Sequence, residues 1–459
     1  MAGLLKIDNY SYTYPEAQTP ALNNVSLSVA AGECVCVTGH SGCGKTTLLL
    51  AIKGLLHSGT ASGTIVAGNS DSSGNGSHDA TGIVLQNAET QILCTTVTEE
   101  IAFGPENLCI QPDEISRRMH AALEAVGLSD LRDRTTEQLS MGQKQRLTIA
   151  SVLAMKPGIL LLDEPTSQLD GPSKRRLIEV LTRLKSQGHA LLITEHDLTP
   201  LQHIADRVLT MEQGTVGEIK QHSAAPSAAE SAHPAREHQS GGSVALAVND
   251  ISLAYPGTGD VFKGLNVNIA GGELVHLFGC NGSGKSSFLR CITGFVKPLS
   301  GSVQIAGISE PRPEQLLGKV GFLFQNPQRQ IFEETVFAEV AFSLKRQQMQ
   351  SGHIDSRVKE VLSLCAADHL VRRSPLTLSF GEQHRVALAS VLAPRPDVLL
   401  LDEPFSGLDF AQRHKLLSIL AELRSRFSTT VIIASHDPLP DPRWADRIIH
   451  MENGSHGTC

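Results

Sequence analysis

Gly39-His40-Ser41-Gly42-Cys43-Gly44-Lys45-Thr46-Thr47 is the stretch on which the reading of this chain turns. It fits G-x-x-x-x-G-K-[ST], the phosphate-cradling loop, whose glycines let backbone N–H groups converge on phosphate oxygens. Val35 and Val37 before it alternate as in a strand, and Leu48, Leu49, Leu50, Ala51 and Ile52 after it suit a helix. An anion held by the loop would therefore lie at a helix N-terminus. A short pattern of this kind also arises by chance, so the second copy is decisive: Gly279-Cys280-Asn281-Gly282-Ser283-Gly284-Lys285-Ser286-Ser287.

The two loops belong to an internal duplication. From Lys45 the intervals are 41 residues to Gln86, 54 to Ser140, 23 to Asp163 and 33 to His196; from Lys285 they are 40 to Gln325, 54 to Ser379, 23 to Asp402 and 34 to His436. Matched spacing of this kind marks a repeat. The pattern from Ala245 to Tyr255 likewise echoes Leu4 to Tyr14, down to the pairs Tyr14-Pro15 and Tyr255-Pro256. Residues 221–243 carry no hydrophobic period and almost no large apolar side chain, so they read as a linker between domains at 1–220 and 244–459. Gly68 to Gly82, rich in Ser, Gly, Asn and Asp, reads as an exposed loop, and Ile115 to Val126 as an amphipathic surface helix.

Bulk composition narrows the class. A chain of 459 residues, 41% hydrophobic and 19% charged, can bury two cores. A net charge of -8 speaks against a dedicated nucleic-acid binder. No apolar run approaches the roughly 18 residues that a membrane helix needs, and no leader pattern opens the chain, so a cytosolic protein is expected. Nine cysteines without C-x-x-C pairs fit reduced thiols, with Cys34 and Cys36 as small core residues of a strand.

Candidate chemistry gathers at strand ends. Asp163 and Glu164 follow the apolar run Ile159 to Leu162, and Asp402 and Glu403 follow Val398 to Leu401. Such runs suit strands buried on both faces, and ligands of parallel sheets bind beyond the strands' carboxyl ends. Asp163 is then placed to hold Mg²⁺ with the Thr46 hydroxyl, and Asp402 with Ser286, while Glu164 and Glu403 orient or deprotonate an attacking water. A single Asp-Glu pair would read more simply as an acidic turn; two pairs, each behind a phosphate loop, do not. Gln86 and Gln325 sit at strand ends where an amide can meet Mg²⁺ or the water, and His196 and His436 where an imidazole can donate to a γ-phosphate. Ser140 and Ser379 each open a helical pattern with a glycine, Gly142 or Gly381, two residues on. Ser140 suits an N-cap, and such a helix start also presents N–H groups and a positive dipole end to a phosphate.

With these residues in place, the chain resembles two fused nucleotide-binding domains of ABC ATPases. The two loops match Walker A, Gln86 and Gln325 the Q-loops, Leu139 to Gln143 and Leu378 to Glu382 the signatures, and Ile159 to Glu164 and Val398 to Glu403 Walker B. Ser167-Gln168-Leu169-Asp170 and Ser406-Gly407-Leu408-Asp409 match D-loops, and His196 and His436 the switch histidines. The fold implied is α/β: two tandem ABC-type P-loop NTPase domains, each a mixed-sheet core with a helical subdomain. The resemblance further implies head-to-tail domains that sandwich two ATP molecules. One site would join Lys45, Gln86, Glu164 and His196 to Ser379 and Gly381, the other Lys285, Gln325, Glu403 and His436 to Ser140 and Gly142. Tyr14 and Tyr255 match the aromatic residue that stacks on adenine. Met141 and Phe380 stand where the family mostly has glycine, and Glu382 where it has glutamine, which is expected to tune the sites. A flexible linker of this length reaches roughly 25–30 Å, enough for the halves to pair within one chain.

A narrower resemblance follows the Q-loops. Gln86 to Leu93 and Ala102 to Leu108, with Gln325 to Phe332 and Ala341-Phe342, are similar to energy-coupling-factor and cobalt-type importer ATPases. It implies a peripheral motor on the cytoplasmic face of the membrane, working with a transmembrane T component and a substrate-binding S component. The second half lacks the Gly104-Pro105-Glu106-Asn107 continuation, so unequal coupling surfaces are expected. The alternatives are a soluble tandem ATPase acting on ribosomes or DNA, whose relatives carry charged linkers, cysteine clusters or coiled-coil insertions missing here, and a nucleotide-binding regulator without turnover, disfavoured by the two intact glutamates.

Overall fold

The computed structural model describes residues 4–15, 17–40, 42–68, 80–218, 244–255, 259–378, 380–405, 408, 410–452 and 455–458. It divides into two compact units, Met1–Glu230 and Ser231–Cys459, with the dividing point inside the stretch read as a linker; 221–243 itself lies outside the described residues.

In the first unit, β1 (Leu5–Thr13), β2 (Leu22–Val29) and β4 (Thr60–Ala67) form an antiparallel sheet ordered β2-β1-β4. The second sheet has the order β5-β6-β7-β3-β8-β9, from β3 (Cys34–Thr38), β5 (Thr81–Val84), β6 (Ile159–Asp163), β7 (Ala190–Thr194), β8 (Arg207–Glu212) and β9 (Thr215–Glu218). All its pairs are parallel except β8 with β9. Helix α1 (Lys45–Lys53) follows the phosphate loop, and α2 (Ala88–Gln91), α3 (Val97–Asn107), α4 (Pro112–Val126) and α5 (Met141–Leu153) precede β6; α6 (Gly171–Ser186) links β6 to β7.

Side chains of the central strands alternate between two cores, as a pleated strand requires. Val35, Val37, Ile159, Leu161, Ala190 and Leu192 face the antiparallel sheet and α1. Cys34, Cys36, Leu160, Leu162, Leu191 and Ile193 face the helices, among them Met119, Leu123 and Val126 of α4. Helix α4 thus buries one stripe, as its amphipathic spacing implies. One boundary differs from expectation. Residues 69–79 lie outside the described residues, but Thr81 and Gly82 belong to buried β5 and not to a loop. Gly82 is needed there because a Cβ would sit 2.2 Å from Val152 of α5, a close approach that a polar, glycine-rich composition disguises.

The second unit repeats the plan. β10 (Val244–Tyr255), β11 (Gly259–Ala270), β13 (Ser300–Ile305) and β14 (Ile308–Ser309) make the antiparallel sheet, ordered β11-β10-β13-β14. β15 (Val320–Leu323), β16 (Val398–Asp402), β17 (Thr430–Ser435), β12 (Leu274–Phe278), β18 (Arg447–Glu452) and β19 (Ser455–Thr458) make the other, in that order. Its helices are α7 (Lys285–Ile292), α8 (Val336–Arg346), α9 (Ser351–Leu364), α10 (Phe380–Leu392) and α11 (Phe410–Phe427). The described cysteines are all free thiols, and no helix among the described residues is long and apolar enough to cross a membrane.

Candidate nucleotide-binding sites

Each phosphate loop leaves the end of a central parallel strand and runs into a helix, β3 into α1 and β12 into α7. Glycine is obligatory where the backbone passes close by: a Cβ on Gly39 would lie 2.2 Å from the Met211 carbonyl oxygen, and one on Gly279 2.3 Å from that of Met451. Gly44 and Gly284 start their helices at φ 110 and φ 98, in the left-handed region that glycine adopts freely. Lys45 and Lys285 are buried, with Nζ donating to the carbonyls of Gly39 at 2.8 Å and Gly279 at 2.6 Å. Tyr14 and Tyr255 stand beside the loops, their hydroxyls 3.2 Å from Thr47 Oγ1 and 3.3 Å from Ser287 Oγ. Ser41 lies outside the described residues.

The acids at the ends of β6 and β16 meet these loops. Thr46 Oγ1 donates to Asp163 Oδ2 at 2.8 Å, and Ser286 Oγ to Asp402 Oδ1 at 2.9 Å. Thr194 Oγ1, at the end of β7, donates to the other Asp163 oxygen at 2.6 Å. Burial pushes both carboxyls up, Asp402 to about 6, against hydrogen bonds that favour the charged form. A hydroxyl and a carboxylate side by side, with a glutamine at the neighbouring strand end, form an oxygen donor set that fits a hard divalent cation such as Mg²⁺.

Glu164 and Glu403 are strained in the same way. Their φ values of 44 and 48 lie in the left-handed region, rare for residues with a side chain. Main-chain bonds enforce the turn, Glu164 N to Thr194 O at 2.9 Å and Glu403 N to Ala434 O at 2.8 Å. Around Glu164 stand Gln86, whose Nε2 donates at 2.7 Å, His196 Nε2 at 2.8 Å and Lys45 Nζ at 3.8 Å. Around Glu403 stand His436 Nδ1 at 2.8 Å and Lys285 Nζ at 3.4 Å. Gln325 is exposed, and no hydrogen bond joins it to Glu403. The halves therefore share the residue set and differ in how it closes.

Ser140 caps α5 with a reciprocal pair: Gln143 N donates to Ser140 Oγ at 3.3 Å and Ser140 N to Gln143 Oε1 at 2.8 Å. In the second signature Glu382 takes the place of Gln143 and lies 3.9 Å from Arg373; Ser379 is outside the described residues, as are Ser406, Gly407 and Asp409. Gly142 and Gly381 occupy the first turns of α5 and α10.

Motif spacing did not single out Gln91 and Gln330 as structural clips. Gln91 Oε1 accepts from Leu85 N at 3.0 Å while its Nε2 donates to Ile83 O at 3.0 Å, which pins the segment around Gln86 to the end of β5. Gln330 does the same with Phe324 N at 3.2 Å and Phe322 O at 3.0 Å. Their shared interval from Gln86 and Gln325 was the available signal. Replacing Gln91 by Leu strands both main-chain groups, and we predict a loss of about 1–3 kcal/mol, read as a lowered thermal unfolding midpoint; an unchanged midpoint would refute the clip.

Comparison with known proteins agrees with this geometry. The ABC transporter family profile matches residues 22–167 and 262–406. A Methanosarcina mazei protein named "Putative ABC transporter ATP-binding protein" is 33% identical over 468 residues, covering 98% of this chain and 94% of its own. A Methanosarcina acetivorans protein of the same name is 32% identical over 476 residues, covering 98% and 89%. Among solved structures, the archaeal ribosome recycling factor aABCE1 in complex with stalk protein aP1 aligns over 98% of this chain and 89% of its own, with a TM-score of 0.62 at 21% identity, a likeness of fold. The chain belongs to the ABC transporter ATPase family and is an ATP-hydrolysing enzyme with two cassettes in tandem.

Proposed function

We propose that this chain is the motor of an energy-coupling-factor type importer, driving uptake of a vitamin or transition-metal ion through separate membrane subunits from the cytoplasmic face. The observation that carries the reading is the apolar surface just past each Q-loop. Leu93 is 69% exposed and Phe332, at the same repeat position, 60% exposed. Phe332 meets Phe342 edge-on at 4.8 Å, and Phe103, the counterpart of Phe342, is also exposed. Exposed apolar side chains seven residues past Gln86, which touches Glu164, and at the matching place past Gln325 suit a hydrophobic partner whose movement follows the nucleotide cycle.

In the proposed mechanism each phosphate loop, through Lys45 or Lys285, takes the phosphates of one ATP, and the signature residues Ser140 and Gly142, and Ser379 and Gly381, present N–H groups to a γ-phosphate. Thr46, Asp163 and Gln86, and Ser286, Asp402 and Gln325, would hold Mg²⁺, which neutralises charge on the β- and γ-phosphates. Glu164 and Glu403 orient the attacking water and accept its proton. His196 and His436 donate to the γ-phosphate, and Tyr14 and Tyr255 stack on adenine. Catalysis is then chiefly positioning and electrostatic stabilisation. Affinity purification from solubilised membranes is expected to recover a small hydrophobic T component and an S component; recovery with ribosomes instead would establish the soluble tandem ATPase.

A further inference from the structure

Glu195, the residue after β7, is a carboxylate that phosphoryl transfer does not require. It is 2% exposed, yet it takes three donors: Thr166 N at 2.8 Å and Thr166 Oγ1 at 2.6 Å on Oε1, and His196 N at 3.3 Å on Oε2. Thr166 is equally buried and lies in the turn that leaves Glu164, where Ser167 Oγ donates back to the Glu164 carbonyl at 2.9 Å and Leu169 N to the Thr166 carbonyl at 3.2 Å. The His196 ring then returns to Glu164 Oε1 at 2.8 Å. Glu164, its turn, Glu195 and His196 thus form a closed circuit. A buried carboxylate is costly unless its oxygens are satisfied, and here they are.

The second unit builds the same corner without it. Phe405 and Ser435 occupy the positions of Thr166 and Glu195. Phe405 is buried, and Ser435 Oγ donates to the Asp437 carbonyl at 2.7 Å and lies 2.8 Å from His276 Nε2. The His436 main-chain N–H, without a Glu195 to take it, goes to Glu403 Oε2 at 3.3 Å, the oxygen that also meets the His436 ring at 2.8 Å. In the first unit Glu195 takes the corresponding N–H, and the Glu164 oxygens divide between His196 and Gln86.

We propose that Glu195 is a positioning residue of the first half: it fixes the Glu164 turn and the His196 backbone in one frame, so that Glu164 is shared between His196 and Gln86 and the two ATP sites close differently. The proposal rests on the reading of Glu164 as the group that acts on water.

Steady-state ATP hydrolysis and thermal unfolding of the full chain test it with Glu195→Gln. The new carbonyl still takes both Thr166 donors, but its NH₂ opposes the His196 N–H, and displacing a reacting group by a fraction of an ångström is expected to lower kcat by about ten-fold, with KM for ATP unchanged. The stranded N–H also lowers the melting midpoint somewhat, so kcat is compared well below it, where the loss should persist. Thr166→Val, which keeps the volume and removes one donor, is expected to lower kcat roughly three-fold by the same argument. Glu164→Gln measured alongside separates the two claims. If it turns over like the natural protein, the site reading fails and the proposal with it. If it is inactive while Glu195→Gln keeps full kcat, the positioning role alone is overturned. A kcat loss that merely tracks a lowered melting midpoint in both variants would make Glu195 a stability residue and also overturn it.

Discussion

Steady ATP turnover is expected to fall by at least about 100-fold when Glu164→Gln and Glu403→Gln are combined, the scale of losing a positioned general base. The amide keeps the size of the side chain and can still occupy the left-handed turn enforced by the Thr194 and Ala434 carbonyls. The Lys45 and Lys285 contacts with their loops do not involve the glutamates' charge, so nucleotide binding should survive. Turnover near that of the natural chain would remove both glutamates from the chemistry. Because the second cluster holds Glu403 through His436 and the first holds Glu164 through His196 and Gln86, the single variants are expected to differ in residual rate.

Mild acid is expected to destabilise the second unit more than the first. His276 and His384 are buried and burial pushes each down to about 4, so both stay neutral in the fold while an unfolded histidine takes a proton near 6.5. The unfolded state then binds more protons between those values, and stability is lost as pH falls through that window. Asp402, pushed up to about 6, works the other way, since the fold binds its proton first. From pH 7 to pH 5 the balance in the second unit is a loss of roughly 2 kcal/mol. The first unit has Cys36 and Gln145 at the two histidine positions; burial lowers its His189, which costs stability in acid, while its Glu195, pushed up to about 7, adds stability as pH falls from 7 toward 4.5. The chain's one tryptophan, Trp444, lies in the second unit, so the midpoint of its fluorescence during unfolding reports that half alone. A midpoint that holds or rises at pH 5 would contradict the assignment, and His384→Gln should remove part of the drop.

Much of this molecule was legible in the amino-acid sequence because the informative residues are local. A glycine loop between a strand and a helix, an acid after four apolar residues, and a serine opening a helix each depend on a few neighbours, and repetition at matched intervals removed the ambiguity of each. The central strands were readable for the same reason: Ile159 to Leu162 is apolar throughout because both its faces are covered. What stayed hidden depends on contacts far apart in sequence. The positive φ of Glu164 and Glu403 comes from carbonyls about thirty residues downstream, and the Thr166–Glu195 link joins two turns that no local pattern relates. Gly82 looked like loop because glycine gives no hint of the Val152 side chain pressed against it. The unequal fates of Gln86 and Gln325 were equally invisible, since spacing assigns them the same position while only Gln86 reaches its glutamate.

Each half is expected to carry a working ATP site built on its own phosphate loop. The most direct test is the amount of ATP that the Glu164→Gln, Glu403→Gln chain retains with Mg²⁺ after gel filtration. One ATP for each phosphate loop, two per chain, is expected, with the nucleotide unhydrolysed; retention of one or none, or recovery as ADP, would show that one or both loops do not hold a working site.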